Sequence, residues 1–104
     1  MLEGMAVIET TTFRLVDGSD EAAFVAADER VQSDFAYQQP GIIRRTTARG
    51  TGERAGEWIV ITLWGSEEQA DAGAARSHND PATSVMLAFV EGSSIEVRRY
   101  ADLD

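Results

Sequence analysis

Apolar residues recur along this chain with two different periods, and the points where one gives way to the other divide it into elements. Ala6 to Val16 (AVIETTTFRLV) is rich in β-branched residues and reads as a strand. Asp17-Gly18-Ser19-Asp20 is a turn, with Ser19 or Asp20 as the N-cap of a following helix. From Glu21 to about Gln38, Phe24, Ala27, Val31 and Phe35 are spaced 3, 4 and 4 residues apart, one apolar stripe on a helix of about five turns. Asp28, Glu29, Arg30 and Asp34 fill the rest of that helix and are expected to face water. Pro40-Gly41 stops it.

Ile42 to Arg49 (IIRRTTAR) is a second strand. A polar, glycine-rich hairpin loop, Gly50 to Gly56, joins it to the clearest strand in the chain, Trp58 to Trp64 (WIVITLW). Ser66-Glu67-Glu68-Gln69 has the form of a capping box, and the alanine-rich helix it opens runs to about Ser77. Asp80-Pro81 marks a second helix start, with proline in the first helical position, and this short helix carries Val85, Met86 and Phe89. Gly92 ends it, and Ser94 to Ala101 (SIEVRRYA) is the last strand. The order β-α-β-β-α-β is the ferredoxin-like pattern. It predicts an α+β fold: a four-stranded antiparallel sheet with its helices on one face. The whole chain, residues 1–104, reads as one such domain, with residues 1–5 as a frayed tail or Met5 as an alternative start.

The third strand has no polar side. Side chains alternate across a strand, so Trp58, Val60, Thr62 and Trp64 share one face and Ile59, Ile61 and Leu63 the other. A sheet with helices on one side and water on the other should show one polar face. Here the second face also needs a cover, and no helix is left over to supply it. A second copy of the sheet is the economical cover, so a homodimer is expected; the competing reading is a monomer that exposes one or two large apolar side chains. Arg44, Arg45, Thr46, Thr47, Arg98 and Arg99 on the outer strands form a polar rim around a central dry patch.

Composition narrows the chemistry. The 104 residues contain no cysteine, which removes disulfides, thiolate metal sites and thiol nucleophiles and fits a cytoplasmic location. A single histidine, His78, excludes a multi-histidine metal site within one chain. The formal net charge of −9 makes nucleic acid and anionic membranes poor partners. All nine basic residues are arginines, so Schiff-base lysine chemistry and a P-loop lysine are ruled out. There is no apolar run of the roughly 20 residues needed to span a bilayer, and the first residues lack the features of a signal peptide. No phosphate loop, nucleophile elbow or dinucleotide fingerprint is present.

The element order, Pro40-Gly41-Ile42-Ile43 after the first helix, and Trp64-Gly65-Ser66-Glu67-Glu68-Gln69-Ala70 after the third strand resemble the antibiotic biosynthesis monooxygenase (ABM-like) family. The resemblance covers about residues 6–101. It implies a dimeric α/β barrel: two subunits with their sheets face to face, and in each a ligand cavity between sheet and helices. It also implies an activity, oxygenation of a small aromatic or quinone-like compound without metal, flavin or other cofactor. Family members of the anthrone-oxygenase type carry the tryptophan matched by Trp64. They also have an asparagine four residues before it and a tyrosine six after it, where this chain has Val60 and Ala70. The haem-degrading branch has an asparagine on the first strand and a tryptophan on the second helix, and this chain has neither. Three readings follow: a cofactor-independent monooxygenase, a non-catalytic dimeric module binding a small apolar or aromatic ligand, and a haem-binding or haem-degrading relative.

The candidate pocket residues are Trp64, Val60 and Thr62 on one strand face, with Phe24, Phe35 and Met86 as a facing wall. For each aromatic residue a place in the core is the competing reading. His78 is the candidate catalytic residue, as a general base at the cavity mouth or a haem contact. Its competing reading is a surface residue favoured by the helix C-terminus. Arg44-Arg45 and Arg98-Arg99 each put one guanidinium on each side of the sheet, for ion pairs with local carboxylates or for holding an anion inside the cavity. Tyr37 closes the end of the first helix or offers its hydroxyl to a ligand.

Overall fold

The computed structural model describes residues 5–104. Of the tail expected to fray, residues 1–4 lie outside the described residues. Four strands, β1 (Val7–Arg14), β2 (Ile42–Arg49), β3 (Glu57–Trp64) and β4 (Glu96–Ala101), form one antiparallel sheet in the order β2-β3-β1-β4. Three helices, α1 (Glu21–Asp34), α2 (Glu67–Ser77) and α3 (Pro81–Leu87), pack on one side of it. The helix starts are capped by the residue types that favour that position. Asp20 accepts the Ala23 amide at 3.2 Å, Ser66 that of Gln69 at 3.1 Å, and Asp80 that of Thr83 at 2.7 Å, with Pro81 in the first turn of α3.

Four elements end earlier or start later than their sequence pattern. β1 spans Val7–Arg14 within the expected Ala6–Val16, and α3 ends at Leu87, before Phe89 and Gly92. The first helix stops at Asp34, not near Gln38. The Phe35 backbone leaves the helical region, and one 3-10 turn, Ala36–Gln38, follows before Gln39 extends ahead of Pro40. A residue preceding proline is pushed toward extended backbone, so the chain begins unwinding one turn before Pro40. At the other end, Ser94 belongs to a 3-10 turn, and β4 starts only at Glu96. The Ser94 hydroxyl is occupied as a turn clamp, accepting the Arg14 amide at 2.8 Å and donating to the Glu91 carbonyl at 2.6 Å.

The core sits between sheet and helices. Phe24 is its centre, completely buried, with its ring edge-on to Phe13, Trp58 and Phe89. Val31, Val60, Met86 and Val90 complete this cluster, and a smaller one joins Val7, Trp64 and Ala70. The Trp58-Val60-Thr62-Trp64 face of β3 therefore meets the helices. The Ile59-Ile61-Leu63 face is the open side. Strand pairing sets Ile8 beside Leu63 and Thr10 beside Ile61 there, with Arg44, Arg98 and Tyr100 toward the edges.

One expectation is overturned. Asp28 does not face water: it is 5% exposed and forms a 2.7 Å ion pair with Arg45, itself 8% exposed. Thr47 donates to the second Asp28 oxygen at 2.6 Å. Asp28 follows Phe24 by four residues and precedes Val31 by three, so it lies on the inward face of α1. Beside it, the Tyr37 hydroxyl accepts the Arg45 amide at 2.9 Å and donates to the Arg45 carbonyl at 3.3 Å. It thereby caps the outer edge of β2 just past the bulge between Ile42 and Arg44.

Candidate functional site

A cavity of about 290 Å³ opens between the sheet and the helices. Its floor comes from helix-facing residues of all four strands, and its walls include Phe35, Met86, Gly73 and Ala74. Leu87, Ile95 and Val97 line it and are also exposed, which makes its mouth apolar. Of the residues expected from sequence, Val60, Thr62, Trp64, Phe35 and Met86 line this cavity. Phe24 does not: it lies wholly within the core. His78 follows the last turn of α2, is exposed, and is not among the lining residues. Substituting His78 by alanine is therefore expected to change ligand affinity and any turnover by less than about twofold, as for most surface positions. Titration calorimetry beside a turnover assay checks this, and a tenfold loss in either would place the residue in the site.

Trp64 is held by its neighbours. A Cβ built on Gly73 would run into the far edge of the Trp64 indole, so only glycine lets α2 pass this close to the ring. The two sequence motifs on which the family resemblance rests also meet here. The Gly65 amide donates to the Gly41 carbonyl at 2.8 Å, and the Gln69 side chain fills the space where a Cβ on Gly41 or Gly65 would stand. Gly41 has a φ of 93°, which glycine alone adopts freely. Gly73→Ala should destabilise the protein by about 1–2 kcal/mol in urea unfolding, because overpacking a rigid ring outweighs the helix propensity of alanine. A gain in stability would mean that the indole moves freely.

A polar row crosses the floor. Strand register places Arg45, Thr62, Glu9 and Arg99 side by side on β2, β3, β1 and β4, and all four line the cavity. Arg99 donates from Nε to Glu9 at 2.9 Å and from Nη1 to Asp71, with Glu67 at 3.9 Å. The Asp71 hydrogen bond, helped by Glu9 and opposed by burial, raises the Arg99 pKa further, so this group is a fixed cation. The Trp64 indole N–H points at the other Glu9 oxygen, a long hydrogen bond of 3.4 Å. Arg99 pairs with local carboxylates, one of the two uses the sequence offers for it, whereas Glu9, Asp71 and Asp28 were missed in the sequence as site residues. For Glu9 a signal existed: it is the one charged side chain in the inward series Val7, Glu9, Thr11, Phe13.

No protein-family model and no curated protein matches the chain. Solved structures do. SnoaB, a cofactor-independent oxygenase from Streptomyces nogalater, superposes with a TM-score of 0.76 at 18% identity, over 96% of this chain and 95% of SnoaB. A candidate antibiotic biosynthesis monooxygenase from Caulobacter crescentus gives 0.78 at 14% identity, over 99% and 95% of the two chains. A third, from Bordetella bronchiseptica, gives 0.76 at 14% identity, over 95% and 98%. This chain has the ABM-like fold. The resemblance carried by Pro40-Gly41 and the Trp64-to-Ala70 segment thus holds at the level of architecture. Within the ABM-like frame, Val60 lies on the cavity floor and Ala70 is packed beside Trp64. Among the described residues no group of three metal-ligating side chains comes together, and no helix is long and apolar enough to cross a membrane.

Proposed function

We propose that this protein is a cofactor-independent oxygenase acting on a small hydroxylated aromatic compound in the cytoplasm, working as a homodimer. The observation that carries the reading is the cavity itself: a largely apolar chamber with Trp64 and the Glu9–Arg99 pair on its floor, in a fold shared with SnoaB, a cofactor-independent oxygenase. The apolar walls suit a flat ring, and the polar row gives such a ring one orienting edge. The chemistry needs little more from the protein. An ionised phenol is electron-rich enough to react with oxygen itself. The phenolate adds O2 at the ring carbon para to its oxygen, and the peroxide formed takes up a proton. Loss of water then leaves a carbonyl at that carbon. One phenol and one O2 give one quinone and one water, all four electrons coming from the ring. The protein binds the ring, excludes bulk water and handles protons.

The test is oxygen uptake by the pure protein over a panel of phenols, hydroquinones and anthrone-like ketones, with product identified by mass. Uptake at one O2 per quinone from a substrate with a free para carbon, with water and no hydrogen peroxide as the second product, supports the reading, and Trp64→Phe should weaken substrate binding. Inertness across the panel, with aromatic ligands still bound, would replace it by the second reading, a non-catalytic small-ligand module. That reading is favoured by Val60 and Ala70, which leave apolar side chains where anthrone oxygenases carry polar ones.

A further inference from the structure

The polar row does more than line a floor, because its two cations are already committed. Arg45 is held by Asp28, and Arg99 by Glu9 and Asp71. Each guanidinium is thus paired with carboxylate, so neither presents an uncompensated positive charge to an anionic ligand. At the β4 end of the row three carboxylates, Glu9, Asp71 and Glu67, divide a single guanidinium among them. That end of the cavity is therefore rich in acceptors.

Glu9 is the carboxylate best placed to meet a ligand. Its side chain is 17% exposed and lines the cavity, whereas those of Asp71 and Glu67 stand out in solvent at 67% and 69%. An ionised carboxylate offers about four acceptor positions, and Arg99 and Trp64 occupy two of those on Glu9. The two protein donors fix the carboxylate from two directions, and its cross-strand neighbour Thr62 adds a hydroxyl beside it. A ligand group that donates a hydrogen bond is accepted here, while one that brings its own negative charge meets like charge.

We infer that Glu9 accepts the hydrogen bond of a ligand hydroxyl and, in turnover, its proton. The ligand class is thus a neutral hydroxyaromatic, a phenol or hydroquinone, and not an aromatic carboxylate. The hydrogen-bond contact stands on the geometry alone, and the proton step rests on the oxygenase reading. In that step the substrate O–H bond breaks, the proton goes to a Glu9 oxygen, and the electron pair stays on the substrate as phenolate. No electron leaves the substrate there. Glu9 returns the proton to the peroxide formed when O2 adds, and so is regenerated before water is lost.

Calorimetric titration with 1-naphthol, its methyl ether and 1-naphthoate tests the contact, with far-UV circular dichroism as a check on folding. The naphthol should bind at least about tenfold more tightly than either analogue, the worth of one hydrogen bond to a charged acceptor. Glu9→Leu should abolish that preference. Glu9→Gln keeps an acceptor but cannot take a proton. It should bind naphthol within a few-fold of wild type yet consume oxygen about a hundredfold more slowly at saturating substrate, as for loss of a general base. Three results would overturn the inference: no preference in the wild type, a preference that survives in Glu9→Leu, or wild-type oxygen uptake by Glu9→Gln. A wild type inert toward every phenol but selective for naphthol through Glu9 would support the contact and remove the oxygenase reading with its proton step.

Discussion

Asp28→Ala should lower the unfolding free energy by about 3–5 kcal/mol, the cost of stranding one member of a buried ion pair. The Arg45 side chain is 6% exposed and, among the described residues, relies on Asp28 for its only carboxylate contact. Its remaining side-chain bonds, to Gln32 and Thr47, are long at 3.4 Å and bring no opposite charge. Nor can arginine shed its charge to escape, since the guanidinium stays protonated. Total stability for a domain of this size is about 5–15 kcal/mol, so the loss would take much of it. Urea unfolding at neutral pH measures it, provided the dependence on denaturant is unchanged. The double variant Asp28→Leu/Arg45→Leu removes both charges and should recover most of the loss, because apolar replacement of a buried pair is often nearly neutral. A loss below about 1 kcal/mol for Asp28→Ala would mean that water reaches Arg45 and that the pair is not enclosed.

The second large effect concerns association. Ile61 lies at the centre of the open sheet face, between Thr10 of β1 and Thr46 of β2, and is 37% exposed in the single subunit. If two sheets meet face to face, as proposed, Ile61→Glu buries two unpaired carboxylates in one interface. Each costs several kcal/mol, so the dimer dissociation constant should rise by at least about a hundredfold. Sedimentation equilibrium at micromolar concentration should show the wild type at two chain masses and the variant at one. In an isolated subunit the same change at a partly exposed position should alter stability by no more than about 0.5 kcal/mol. A wild type at one chain mass, or a variant that still pairs, would remove the face-to-face dimer.

The architecture was readable because local signals agreed with one another. β2 has the bounds its sequence gives, and the β3 face that meets the helices is the one carrying both tryptophans. Asp28 shows where such reading stops. Phe24, Ala27, Val31 and Phe35 make a sufficient stripe, and an aspartate among them is most simply assigned to the solvated side. What draws it inward is Arg45, 17 residues away, and only strand register reveals that partner. Glu9 and Arg99, 90 residues apart, have the same history. Strand alternation alone hints that each turns inward, but that the two meet appears only when β1 and β4 are paired. Phe24 and Phe35 occupy the same stripe yet separate in space, because the helix ends between Val31 and the 3-10 turn. Phe35 is thus freed to line the cavity while Phe24 stays in the core.

The hydroxyl of Tyr37 has a consequence for how molecules of this protein meet at high concentration. An edge strand presents unpaired amides and carbonyls on which another chain can extend the sheet. On β2 the Arg45 amide and carbonyl are both engaged by Tyr37, and the bulge before Arg44 breaks the regular spacing a docking strand needs. The opposite edge, β4, is only six residues long and carries three charged side chains, Glu96, Arg98 and Arg99. Growth of the sheet from neighbour to neighbour, the route to fibres, is thus blunted at both borders, while the broad apolar face stays available. These borders disfavour an open-ended ribbon and leave room for the proposed face-to-face pair.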